Sequence, residues 1–216
     1  METLLRFVDI PSVYLQKAPL LMNRHGWPGE FERFSANITL FRLINDHRHP
    51  WLDACCLLLL YLGSGYMLAP VTLLTGFFRR QRLWVLLAAV SLETLVVSVM
   101  KQVFAQPRPG GMLPDVYVVE ELSWRAFPSG DTAMAFTLAW VLKSGLRWPA
   151  RAAFIVYAVG VAYERVYLGA HFPIDVLAGA AVGILSVMLV ERLFAWKKPA
   201  KPAEETEAPK PEEVPV

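Results

Sequence analysis

Five apolar stretches, each almost free of charge, limit what this chain can fold into: residues 54–78, 83–104, 128–142, 152–168 and 173–196. A bilayer crossing takes roughly 17–25 mostly apolar residues. The first, second and fifth stretches meet that length directly. The third and fourth are shorter and carry Asp131, Lys143 and the Glu164–Arg165 pair at their ends. Hydrophobic residues make up 55% of the chain and charged residues 19%, which departs from soluble averages of about 45–50% and about 25% in the membrane direction. The fold expected is all-α: a polytopic membrane bundle of five transmembrane helices. A sixth is left open at residues 4–22, where Pro11 and Pro19 interrupt the apolar run.

Three regions follow from the pattern. Residues 1–50 form an N-terminal region without the basic start, continuous apolar stretch and cleavage site of a signal peptide. Within it, residues 31–43 space Phe31, Phe34, Ile38, Phe41 and Leu43 as an amphipathic helix, lying along the membrane or packed on the bundle. Residues 51–196 form the transmembrane domain. Residues 197–216, rich in Pro, Glu, Lys and Ala, read as a disordered tail.

Net charge is only +2, so no basic field points to nucleic acid. The neighbours Cys55 and Cys56 imply neither a disulfide framework nor a metal site. Sidedness is more informative. Arg79, Arg80 and Arg82 fill one interhelical link, Lys143, Arg147 and Arg151 another, and Arg192, Lys197, Lys198 and Lys201 border the last span's end. With five spans all three clusters share one face, which the positive-inside rule makes cytoplasmic, together with the tail. The expected location is a bacterial-type inner membrane, with residues 105–127 and the turn 169–172 on the opposite, periplasmic or extracellular side.

That opposite face gathers the chain's chemically costly residues. Lys101 closes the second span and Arg108 follows it. Ser129, Gly130 and Asp131 open the third, Arg165 closes the fourth, and His171 and Asp175 open the fifth. Polar groups at membrane ends are functional hypotheses by default. Two arginines and a lysine suit phosphate oxygens. A helix start at Ser129–Gly130 offers backbone N–H groups to an anion. His171 and Asp175, four residues apart at a helix start, share one face, so the carboxylate can hold one ring nitrogen and leave the other as a nucleophile. Glu93, mid-way along the second span, is expected to face the bundle interior as a buried, hydrogen-bonded acid.

Three blocks carry a family resemblance. KQVFAQPRP, FPSGD and ERVYLGAHFPID resemble, in order and spacing, the Lys-x6-Arg-Pro, Pro-Ser-Gly-His and Ser-Arg-x5-His-x3-Asp motifs of the type-2 phosphatidic acid phosphatase superfamily. The resemblance covers about residues 50–195 and implies a helical membrane enzyme, without cofactor or metal, that dephosphorylates lipid phosphates through a phosphohistidine. It would make His171 the nucleophile and Asp175 its orienting partner, with Lys101, Arg108, Ser129, Gly130 and Arg165 binding the phosphoryl group. The partners implied are a lipid phosphate and the surrounding membrane lipids. Five apolar spans argue against the soluble, vanadate-binding branch.

Two positions depart from the pattern: Asp131 stands where the family has its acid histidine, and Glu164 where it has serine. A carboxylic acid among cations is ionised at neutral pH and donates protons poorly. An alkoxide leaving group needs a good acid, whereas a phosphate monoester, with a second pKa of about 6, needs little help. The expected substrate is therefore a lipid diphosphate, such as a polyprenyl diphosphate, ahead of phosphatidic acid. Asp131 has two other readings, as a proton acceptor and as a helix cap. Glu164 pairs with Arg165 or with Lys101. A phosphotransferase using the same site, and a non-catalytic lipid-phosphate binder, are the competing functions.

Overall fold

The computed structural model describes residues 16–17, 35–118 and 125–196. The possible span at residues 4–22, Phe31 and Phe34 of the amphipathic segment, and the tail from residue 197 lie outside these, apart from the backbone at 16–17. In chain order the elements are β1 (Gln16–Lys17), α1 (Ser35–Asn45), α2 (Pro50–Gly63), α3 (Leu68–Phe78), α4 (Arg80–Phe104), the single turn α5 (Pro109–Met112), β2 (Tyr117–Val118), α6 (Gly130–Leu142), α7 (Trp148–Tyr167) and α8 (Pro173–Trp196). β1 and β2 pair antiparallel, Gln16 with Val118 and Lys17 with Tyr117. Everything else described is helix and connection.

α4 and α8 are each long and apolar enough to cross a membrane. The stretch expected as one continuous span at residues 54–78 is instead two helices, α2 and α3, bent by 52° at a break; taken together they have the length and apolarity of a third candidate span. The break has a local cause. Gly63 and Gly65 flank Ser64, and Pro70 has no N–H with which to continue the ladder back to Tyr66. The break frees a carbonyl at Leu62, and the Tyr157 hydroxyl donates to it at 2.8 Å. α6 has only 13 residues, and α7 carries three charges, Arg151, Glu164 and Arg165. Apolar side chains cover the bundle's outside: Leu73 is 75% exposed, Phe77 80% and Val156 70%. Such a surface suits hydrocarbon, not water.

α6 is the central helix, with Ala133, Ala135 and Ala139 buried on different sides of it. Its partner α8 comes close because glycines face it. A Cβ on Gly179 would stand 2.4 Å from the Ser129 carbonyl oxygen, and one on Gly183 would stand 2.3 Å from that of Ala133. A core of Val85, Leu86, Ala89, Leu138, Val141 and Val187 ties α4, α6 and α8 together. At the end where α6 stops, Arg79 donates to the carbonyls of Leu142 and Ser144 at 2.9 and 3.2 Å, and Arg82 pairs with Glu191. The basic link read for sidedness thus also caps α6, whose last carbonyls lack helical partners.

α1 packs on the bundle: Phe41 is fully buried against Val116, Val166, Phe172 and Val176, while Leu43 stays exposed. For Ser35–Asn45 this is the packed alternative, not a helix lying free along a surface.

Candidate active site

The end of the bundle opposite Arg79 and Arg82 is built from the starts of α6 and α8 and the ends of α4 and α7. Three ties bring them together. The Ser129 amide donates to the Asp175 carbonyl at 3.0 Å, linking the two helix starts. The Ala126 amide donates to the Gln106 carbonyl at 2.8 Å, closing the base of the 105–127 segment, where Phe104 and Phe127 meet edge-on at 5.1 Å. After α7 the chain turns at Gly169, whose φ of +71° favours glycine, and the amides of Ala170 and His171 both bond the Arg165 carbonyl. His171 is thereby fixed relative to the arginine that ends the preceding helix.

All eight residues singled out from the sequence meet here. His171 is 1% exposed and Asp175 fully buried, with His171 Nδ1 3.4 Å from Asp175 Oδ2. That contact is long, and neither Nδ1 nor Asp175 Oδ1 has a closer partner among the described residues. Catalytic hydrogen bonds are often long before substrate arrives. Asp175 Oδ2 also accepts from the Phe172 amide at 2.9 Å, the half of a capping box in which an acid in the first turn reaches back to the residue before the helix. The carboxylate is therefore fixed by the helix it starts, and the imidazole is oriented by that carboxylate.

Burial pushes the His171 pKa down from its ordinary value; the charges of Arg108 and Arg165 push the same way, and Asp175 opposes them. The net direction favours the neutral ring, the form a nucleophile requires. Arg108 enters the site through this effect. Lys101 enters through Gly130, where an added Cβ would lie 3.8 Å from the ammonium nitrogen. That is an ordinary van der Waals distance, so the ammonium lies beside the start of α6. Ser129 is buried, and its hydroxyl accepts from the Thr132 amide at 3.4 Å as the cap of α6. The capping role left open for Asp131 thus belongs to Ser129.

Asp131 and Glu164, the two departures from the motif pattern, hold the same guanidinium. Arg165 Nε and Nη2 donate to Glu164 Oε2 and Oε1 at 2.8 and 2.9 Å. Arg165 Nη1 donates to Asp131 Oδ2 at 2.7 Å. Of the two partners offered for Glu164, Arg165 is held through both carboxylate oxygens. Glu93 is buried in α4, near the Thr94 hydroxyl at 3.3 Å.

Two asparagines that the sequence reading passed over brace the site. Asn37 Oδ1 accepts from the Ile174 amide in the first turn of α8 at 3.1 Å. Asn45, fully buried, donates to the carbonyls of Tyr117 and Tyr167 and accepts from the Tyr117 amide at 2.9 to 3.1 Å. Nothing local to either residue announces this, because their partners lie 72 to 137 positions away.

The chain is similar to known proteins. Residues 82–199 match the model of the PAP2 superfamily. The chain is 33% identical over 159 residues to an undecaprenyl-diphosphatase of Sulfolobus acidocaldarius, covering 72% of this chain and 77% of that one. It is 33% identical over 160 residues to a lipid A 1-phosphatase of Rhizobium etli, covering 67% of this chain and 66% of the relative. The crystal structure of Aquifex aeolicus LpxE superposes with a TM-score of 0.73 at 46% identity, covering 74% of this chain and 98% of that one. With the family model spanning the helices that hold the buried His171–Asp175 pair and its cations, the chain belongs to the PAP2 superfamily of membrane lipid phosphatases.

Proposed function

We propose that the protein hydrolyses lipid diphosphates, polyprenyl diphosphates before phosphatidic acid, through a phosphohistidine on His171. The observation that carries this reading is the 2.7 Å ion pair between Asp131 and Arg165. A carboxylate held by a guanidinium accepts hydrogen bonds and is not a proton donor. A substrate that needs no donor fits such a site.

The steps use this chain's own groups. Lys101, Arg108, Arg165 and the N–H groups at the start of α6 gather the terminal phosphoryl group. With Nδ1 turned to Asp175, Nε2 of His171 attacks phosphorus, and the bond to the bridging oxygen breaks. The lipid monophosphate leaves as an anion that needs no proton. Water then attacks the phosphohistidine, its proton passing to a site carboxylate, and phosphate departs with His171 restored. In this reading α6 and α7 cross the membrane with the other three spans. The site faces the periplasm or exterior of a bacterial-type inner membrane, and the tail faces the cytoplasm.

Purified protein in detergent, offered polyprenyl diphosphate, polyprenyl monophosphate and phosphatidic acid, should release phosphate fastest from the diphosphate, by about tenfold or more in kcat/KM, within the span of effect general-acid groups supply. Asp131→His should raise turnover of the monoesters. Faster monoester turnover by the wild type refutes the preference. A second reading, removal of the 1-phosphate of lipid A, is favoured by the match to the Rhizobium etli enzyme; the same panel with lipid A added decides between them.

The depressed pKa of His171 gives a further expectation. Protonation of the imidazole abolishes the nucleophile, so the acid limb of kcat/KM assigned to His171 should lie below pH 6.5, the ordinary histidine value. A pH–rate profile locates the limb, and a midpoint at or above 6.5 would contradict the buried, arginine-flanked setting.

A further inference from the structure

Resting on that phosphatase reading, we infer that Asp131 is an internal competitor for the phosphoryl site: it occupies Arg165 Nη1 in the empty enzyme, gives it up when a phosphoryl group arrives, and so keeps inorganic phosphate weakly held. The two carboxylates on Arg165 are unequal. Glu164 is its chain neighbour, fully buried, and grips Nε and Nη2 together. Asp131 comes from another helix, 34 positions away, accepts from Nη1, and has a side chain 36% exposed. One carboxylate is a fixed brace; the other stands at the mouth of the site, where water can receive it.

Arg165 itself cannot make the exchange. Its side chain is 2% exposed and held by Glu164, and its carbonyl is bonded by the amides of Ala170 and His171. Swinging the guanidinium away would break both of its bonds to the buried Glu164 carboxylate. Any hand-over at Nη1 therefore proceeds by movement of Asp131.

Charge makes the competition consequential. Lys101, Arg108 and Arg165 carry three positive charges, and Asp131, Glu164 and Asp175 carry three negative ones. Among the described residues these charges balance, and the arginine fork that would bind a phosphate oxygen already binds a carboxylate oxygen of the same geometry. A phosphoryl group must displace that oxygen. A lipid substrate is concentrated beside the site by its membrane anchor, whereas free phosphate has no such help and leaves once the bond is cut. The device weakens substrate and product alike, so its benefit appears in product release and not in ground-state binding.

The test is direct titration of the full-length, detergent-purified protein with inorganic phosphate, by calorimetry or phosphorus NMR, with no turnover required. Asp131→Asn keeps the side chain's size and removes its charge. It should bind phosphate about tenfold more tightly or better, the scale of one charge-assisted hydrogen bond. Asp131→Ala, which removes that carboxylate altogether, should shift in the same direction. During hydrolysis of a lipid diphosphate both variants should show a lower inhibition constant for phosphate and no gain in kcat. Unchanged or weaker phosphate binding by both variants, with circular dichroism and melting like the wild type, overturns the proposal. Failure of the phosphatase reading looks different: no lipid phosphate is turned over by the wild type, while the titrations still report on Asp131.

Discussion

His171→Ala should lower phosphate release from every lipid substrate by about a thousandfold or more, the scale on which a covalent nucleophile's removal is felt, while leaving the bundle folded. The two halves of that expectation rest on different observations. Loss of chemistry follows because His171 is the one histidine in the chain's last 160-odd residues and the one imidazole beside Asp175 at the proposed phosphate-binding end. Retention of the fold follows because the turn is held by main-chain groups: the Ala170 and His171 amides on the Arg165 carbonyl, and the Phe172 amide on Asp175. Removing a buried imidazole leaves a cavity, so some loss of melting temperature is expected. Asp175→Asn should cost less, because it disorients the ring without removing it. Full activity in a folded His171→Ala protein would end the phosphohistidine mechanism, whereas a wild type that binds lipid phosphates and turns none over would favour a binding protein. Phosphate released only when an acceptor alcohol is added would favour the phosphotransferase.

Much of this site is legible in one dimension because antiparallel helices return residues to the same end of a bundle at fixed intervals. Lys101, Arg108, Ser129, Arg165, His171 and Asp175 all lie at or beside the ends of apolar stretches, and counting those stretches places them together. What counting cannot supply is pairing across the bundle. Asp131 and Glu164 could be read as separate departures from a motif. That they share one guanidinium depends on how far α6 and α7 rotate about their own axes, and tertiary packing sets that rotation. The broken first span shows the opposite limit. Its mean apolarity makes residues 54–78 look continuous, and the break comes from Gly63, Gly65 and Pro70, residues that hydropathy barely weighs but backbone geometry does. Likewise the short segment that became α1 offered two placements, and only the burial of Phe41 and Asn45 selects one.

The glycines of α8 carry the second large effect. Gly179→Ala should lower kcat by about a hundredfold, with a smaller change in KM, although residue 179 touches neither phosphate nor His171. The added Cβ would stand 2.4 Å from the Ser129 carbonyl and 3.3 Å from the Ala133 amide. These are backbone atoms, which cannot swing aside as a side chain would. Relieving the clash means separating α6 from α8 by most of an ångström at the point where both helices begin. The Ser129 amide is bonded to the Asp175 carbonyl there, so the movement drags the anion-binding start of α6 away from the His171–Asp175 pair. A misplacement of about 1 Å between reacting groups costs on the order of a hundredfold in rate. Gly183→Ala supplies the comparison. Its Cβ would stand 2.3 Å from the Ala133 carbonyl, the same kind of clash one helical turn further from the site, where its separation is felt more by the core than by the reacting groups. The predicted order is that Gly183→Ala loses at least as much thermal stability but less kcat than Gly179→Ala. Equal kcat losses at equal stability would mean that α8 moves as a whole and that close approach at residue 179 has no special part in setting the site.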